Sequence, residues 1–131
     1  MESQGKIADE PVMYIIINND LKMSKGKIAG QACHVACDTV IDIELSVANS
    51  EIYEVYDKWK KEVKAKIVLK ATEKELLDFI ANYSDKTKSM WCNHIRDFGR
   101  TQIKHDSLTA IAFNPIWKSQ TPDIFKKMKL L

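Results

Sequence analysis

The stretch VMYIII, residues 12–17, is followed at once by NND, residues 18–20. Six consecutive apolar residues with no polar partner at alternate positions describe a strand covered on both faces, because a strand with one face in water alternates instead. Asn-Asn-Asp then supplies turn chemistry. A strand sealed above and below needs helices on both sides, so this run points to an α/β layering.

The rest of the chain fits that frame. Beyond Lys27 the apolar positions Ile28, Ala32, Val35, Ala36, Val40 and Ile43 recur at helical spacing, with Ser24 as N-cap and the Asn49-Ser50 pair as a break. EIYEVYDKWKKEV, residues 51–63, puts Ile52, Val55, Tyr56, Trp59 and Val63 on one stripe and predicts a second helix. AKIVLKA, residues 65–71, reads as a strand, and the Thr72/Glu75 spacing that follows is a capping box opening a third helix. MWCNHI (90–95) and LTAIAFNP (108–115) read as two more strands joined by RDFGRTQIKHDS. The tail TPDIFKKMKLL starts with Thr121-Pro122, an N-cap and first-turn pair that predicts a helix. Strands alternating with helices over these distances predict a mixed sheet, in which ligands bind where strand ends meet helix starts.

A chain of 131 residues is one domain's worth, and such a domain buries roughly two-thirds of the surface its unfolded chain exposes. The first ten residues read as a flexible N-terminus ahead of a domain at 11–131. With 45% hydrophobic and 29% charged residues the composition is that of an ordinary soluble globular protein. No apolar run approaches the ~20 residues of a membrane span, so no membrane partner is expected. Three cysteines cannot all pair, and Cys33 and Cys37 lie one helical turn apart, which reads as reduced, buried thiols in a cytosolic protein.

The net charge of +2 is too small to define a partner, but the cations are grouped. Lys22, Lys25 and Lys27 form one knot, Arg96, Arg100 and Lys104 a second, and Lys126, Lys127 and Lys129 a third. The third reads as ordinary solvated surface. In the first, Gly26 lies in the opening turn of a helix, where free N–H groups and the helix dipole favour an anion. Positions 27, 31, 34 and 38 then set Lys27, Gln31, His34 and Asp38 on one polar face, nearly opposite the apolar stripe. SKGK lacks the spacing of a phosphate-binding Walker loop, which argues against a nucleotide triphosphatase. The second knot, RDFGRTQ (96–102), sets Asp97 among arginines, where it stays ionised, as a general base or orienting group must.

Other constellations read as structural. Cys33, His34 and Cys37 lack the paired spacing of a metal site, and no nucleophile-elbow pattern is present. Trp91, Trp117 and Tyr14 could stack on bases, but core or edge packing accounts for them more simply.

Taken together, LKMSKGKIAGQACHVA (21–36) and IRDFGRTQI (95–103) resemble the type II peptidyl-tRNA hydrolase family of archaea and eukaryotes. The likeness extends over nearly the whole chain, through the strand ending in DL, Trp59 before AKIVLK, the EKELL helix and the terminal KLL. It implies a single α/β domain with a four-stranded mixed sheet and helices packed on both faces. It further implies cleavage of the ester between a peptide and the 3′ end of tRNA without metal or other cofactor, with peptidyl-tRNA as partner and homodimers common. Carried over position by position, it marks Lys27, His34, Asp97 and Thr101 as catalytic, with the proton acceptor open between Asp97 and His34. Lys22, Lys25, Gly26, Gln31, Arg100 and Gln102 fall to the tRNA. The chain departs from the family pattern at Asn18 and Asn19, where an arginine is common, at Phe98, and at Lys104–Ser107 in place of a proline-glycine turn. Two readings of other classes stay open: a non-catalytic binder of the tRNA acceptor end, and a protein-interaction adaptor on the same fold.

Overall fold

In the computed structural model, which describes residues 9–46, 50–97 and 106–131, the opening stretch lies in the middle of the sheet. Strand β1 (Pro11–Asn18) is buried along its whole length. Its side chains split by parity, as a pleated strand requires. Val12, Tyr14 and Ile16 enter one core with Leu76, Phe79, Phe113 and Phe125, while Met13, Ile15 and Ile17 enter the other with Val35, Ile43, Tyr56 and Trp59.

The second core belongs to α1 (Lys25–Leu45) and α2 (Ser50–Lys61), and the first to α3 (Glu73–Asn82) with the single turn α4 (Asp123–Lys126). Between the layers run β2 (Lys66–Ala71), β3 (Cys92–Arg96) and β4 (Leu108–Phe113). The sheet order is β3-β4-β1-β2-β6, where β6 is Lys129–Leu130, and β5 (Ile116–Trp117) pairs with the start of β1. Strand β2 runs parallel to β1, whereas β4 is antiparallel to both β1 and β3. Strands β1, β2 and β3 therefore point the same way, and their carboxyl ends share one edge with the first turns of α1 and α3.

Four differences from the sequence reading have physical causes. Among the described residues the sheet has six strands, not four, because β5 and β6 are two residues each, too short for alternation to show. The tail is helical for one turn only: Thr121 does not cap it but exchanges a 2.9 Å hydrogen bond with the Tyr14 hydroxyl, and the chain returns as β6 beside β2. Helix α2 stops at Lys61, so Val63 leaves its stripe and is 85% exposed. Cys33 and Cys37 are exposed rather than buried; only Cys92 is enclosed. Among the described residues no helix is long and apolar enough to cross a membrane.

Candidate active site

Helix α1 starts where the spacing predicted. The Ser24 hydroxyl accepts from the Lys27 N–H at 3.3 Å and fixes the phase of the first turn. That turn carries Lys25 and Lys27 and no acid, against the preference of a helix N-terminus. From the third position of the helix, the Lys27 ammonium donates to Asp97 Oδ1, seventy residues away. The side chains are 11% and 5% exposed, so the pair is nearly closed off from water. Asp97 follows directly on β3 and is held by its backbone, with its N–H donating to the Ser107 carbonyl at 2.9 Å and its carbonyl accepting from the Asp106 N–H at 2.6 Å.

One turn further along α1, Gln31 Oε1 accepts from the Thr109 hydroxyl at 2.6 Å. Thr109 can reach it because the β3–β4 register slips: Ile95 faces Ala110 but Arg96 faces Leu108, leaving Thr109 as the extra residue of a bulge. A bulge re-aims side chains, and here it sends Leu108 into the α3 core while Thr109 meets α1. The polar face of α1 is thus partly enclosed against β3 and β4, not turned to solvent opposite the apolar stripe.

A second polar cluster braces this edge. The buried Asn18 donates through Nδ2 to the Leu108 carbonyl at 2.8 Å and to Glu73 Oε1 at 3.3 Å, while its Oδ1 accepts from the Asp20 N–H at 3.0 Å. Asp20 in turn accepts from the Glu73 N–H at 2.9 Å. The residues at a position where the resembled family has an arginine therefore join β1, α3 and the bulged start of β4.

The remaining candidates are distributed as follows. His34 is 46% exposed and lies 3.5 Å from Asp38 Oδ2 on the same helix. Seven residues of helix, about 10 Å of rise, separate it from Lys27. Lys22, in the left-handed region at φ 50°, Lys25 and Gly26 are exposed at the entry to α1. A Cβ on Gly26 would meet nothing within 4 Å, so the chain's own packing does not demand glycine there. Thr101, Arg100 and Gln102, with Phe98, Lys104 and His105, lie outside the described residues. Sequence reasoning missed Thr109 and the Asn18 cluster; its only signal for the former was a threonine inside the otherwise apolar LTAIAF.

Beyond this edge the titratable groups read as structural. Burial pushes the Cys92 thiol up to about 12, which keeps it protonated. Burial would raise the Asp42 carboxyl, but hydrogen bonds from Lys86 and Asn93, with the charge of Lys86, hold it below its usual value. Burial and the nearby charges of Arg96 and Lys86 lower the His94 imidazole. Trp91 and Tyr14 are core residues, and Trp117 is half-buried under the Lys58 ammonium.

A mixed α/β sheet whose carboxyl edge brings a carboxylate, an ammonium, an amide and a hydroxyl together at a helix N-terminus has the make-up of an enzyme site. Residues 11–131 match the family model described as Peptidyl-tRNA hydrolase PTH2. The protein named Peptidyl-tRNA hydrolase of Methanococcus maripaludis strain C6 is 39% identical over 118 residues, 89% of this chain and 96% of its own. That of Methanocaldococcus jannaschii is 35% identical over 120 residues, 91% and 98% of the two chains, and that of Saccharolobus islandicus is 34% identical over 121 residues with the same coverage. The chain belongs to the peptidyl-tRNA hydrolase PTH2 family.

Proposed function

We propose that this chain is a cytoplasmic enzyme that hydrolyses the ester between a peptide and the 3′ end of tRNA. In the reaction, water oxygen bonds to the ester carbonyl carbon, the bond to the ribose oxygen breaks, and free peptide and tRNA leave. The observation that carries this reading is the nearly buried Lys27–Asp97 pair, assembled from two remote segments at the mouth of α1.

Such hydrolysis needs a group to take the proton of the attacking water and donors for the oxyanion that forms on the carbonyl. Asp97 supplies the first. Lys27 and the free N–H groups of the first turn of α1 supply the second, in a place where the helix dipole adds to the ammonium. Gln31, held by Thr109, orients the substrate or the water, and Thr101 joins them by family likeness. His34 is set too far along α1 to serve the same water and works at the approach to the site. Lys22, Lys25, Arg100 and Gln102 contact the acceptor end, where cation–phosphate pairs supply affinity without sequence choice.

Two measurements with the purified chain test the reading: release of labelled peptide from peptidyl-tRNA, and filter binding of deacylated tRNA. Release together with binding is expected. Binding without release would make the chain a non-catalytic acceptor-end module, and neither would leave an interaction adaptor on the same fold.

A further inference from the structure

Lys60, Lys61, Lys74, Lys86 and Lys126 each lie within 4 Å of an acidic side chain. Among the described residues Lys70 and Lys129 have no acid at that distance; instead they are register partners across the β2–β6 ladder, one cation directly opposite another. Like charges in that relation destabilise a sheet, and the half-buried position of Lys70 leaves water less able to screen them. A second bond keeps them there, since the Leu131 N–H donates to the Val68 carbonyl at 3.0 Å and fastens the tail along β2.

Their position gives the pair access to the site. Lys70 stands beside Ile17 in the β1–β2 register, hence on the sheet face that carries α1 and α2. Those helices lie chiefly over β1, β3, β4 and β5, which leaves β2 and β6 as an open margin. Along that margin the turn Asn19–Leu21 packs against β2 and delivers Lys22 and then Lys25. With strands about 4.8 Å apart, Lys129 lies roughly 10 Å from β1, close enough to continue the cationic rim of the site.

We propose that Lys70 and Lys129 form a shelf for RNA phosphates that holds the body of the substrate tRNA beyond its acceptor end. The inference rests on the tRNA reading above. A bound phosphate chain would offset the repulsion that the ladder imposes on the two ammonium groups. The neighbour of Lys129 in the sequence knot, Lys126, faces no cation across a ladder and lies 3.8 Å from Asp123 instead.

The test compares the wild type with the double variant Lys70→Gln/Lys129→Gln, and with Lys126→Gln as a control, in tRNA binding across a salt series. Each lost phosphate contact removes about 0.9 from the log–log salt slope. The wild type should therefore lose about tenfold more affinity than the double variant between about 50 and 200 mM salt, whereas Lys126→Gln keeps the full slope. The melting temperature of the double variant should stay level or rise, and its peptide release from a peptidyl-trinucleotide should match the wild type. Equal slopes in wild type and double variant, or the same fall in the control, would overturn the shelf. A wild type that shows the slope difference but releases no peptide would instead sink the hydrolase reading and leave the shelf standing.

Discussion

Helices α1 and α3 both begin at the carboxyl edge of the sheet, yet their first turns are built on opposite rules. Helix α3 opens with a complete capping box, in which Thr72 and Glu75 satisfy each other's backbone donors, and it carries Glu73 and Glu75 where the dipole favours acids. Helix α1 has the cap but then sets Lys25, Gly26 and Lys27 in its first turn. One N-terminus is neutralised from within; the other keeps its positive field for groups outside the helix. The acid that answers Lys27 comes from Asp97, beyond β3, and this long-range pairing is what turns an unfavourable helix start into a site.

The sharpest way to break that contrast is Asp97→Asn. Losing a general base typically lowers turnover by ~10²–10⁴, so single-turnover peptide release should fall by about that factor while filter binding of tRNA holds. His34→Ala should stay within about threefold of wild type if Asp97 is the base; the reverse order would move that role to His34. Stability reports on the same pair. Stranding one nearly buried charge costs about 3 kcal/mol, and adding Lys27→Met to Asp97→Asn should restore most of the lost denaturation midpoint without restoring turnover.

Thr109→Val keeps the shape of the bulge residue and removes the hydroxyl that holds Gln31. A net hydrogen bond of about 1 kcal/mol translates into roughly a fivefold lower kcat if Gln31 must be aimed. An unchanged kcat, measured beside an unchanged melting temperature, would reduce the Gln31 contact to packing.

These two residues mark where the sequence could and could not be read. Lys27 stands out locally as a cation in a helix's first turn, and Asp97 through the charged RDFGRTQ segment taken together with residues 21–36, whose joint resemblance to the family singles both out. The layering was equally legible, since β1 is apolar from Val12 to Ile17 without alternation, as a doubly covered strand requires. Thr109 was not legible: its reach depends on a register slip against β3, a property of two strands rather than one. The two-residue strands β5 and β6 carry no period at all, and the opposition of Lys70 to Lys129 exists only once the tail has folded back. Exposure of Cys33 and Cys37 escaped for a related reason, because small apolar residues on a helix do not say which side has a partner.

The comparison is sharpened from the other side by Thr72→Ala. Removing an N-cap hydroxyl costs about 1 kcal/mol, which should appear as a lower denaturation midpoint. Peptide release should stay within about twofold of wild type, because the cap of α3 serves the fold and not the reaction. A tenfold loss of release at unchanged stability would contradict the division of labour between the two helix starts.

Gly26→Ala carries the smallest expected effect and separates two explanations of the same residue. Gly26 sits in helical backbone with open space where a Cβ would point, so alanine adds no clash within the chain. Helix propensity alone favours the change by at most about 1 kcal/mol, and by only a few tenths this close to the cap. The variant should therefore unfold slightly later in denaturant. If glycine is there so that substrate can come close to the first-turn N–H groups, KM should rise while the fold gains, since the new methyl group stands in the substrate's path and in no one else's. Gains in stability with KM and kcat both unchanged would leave the anion-binding role of this turn to Lys25 and Lys27 alone.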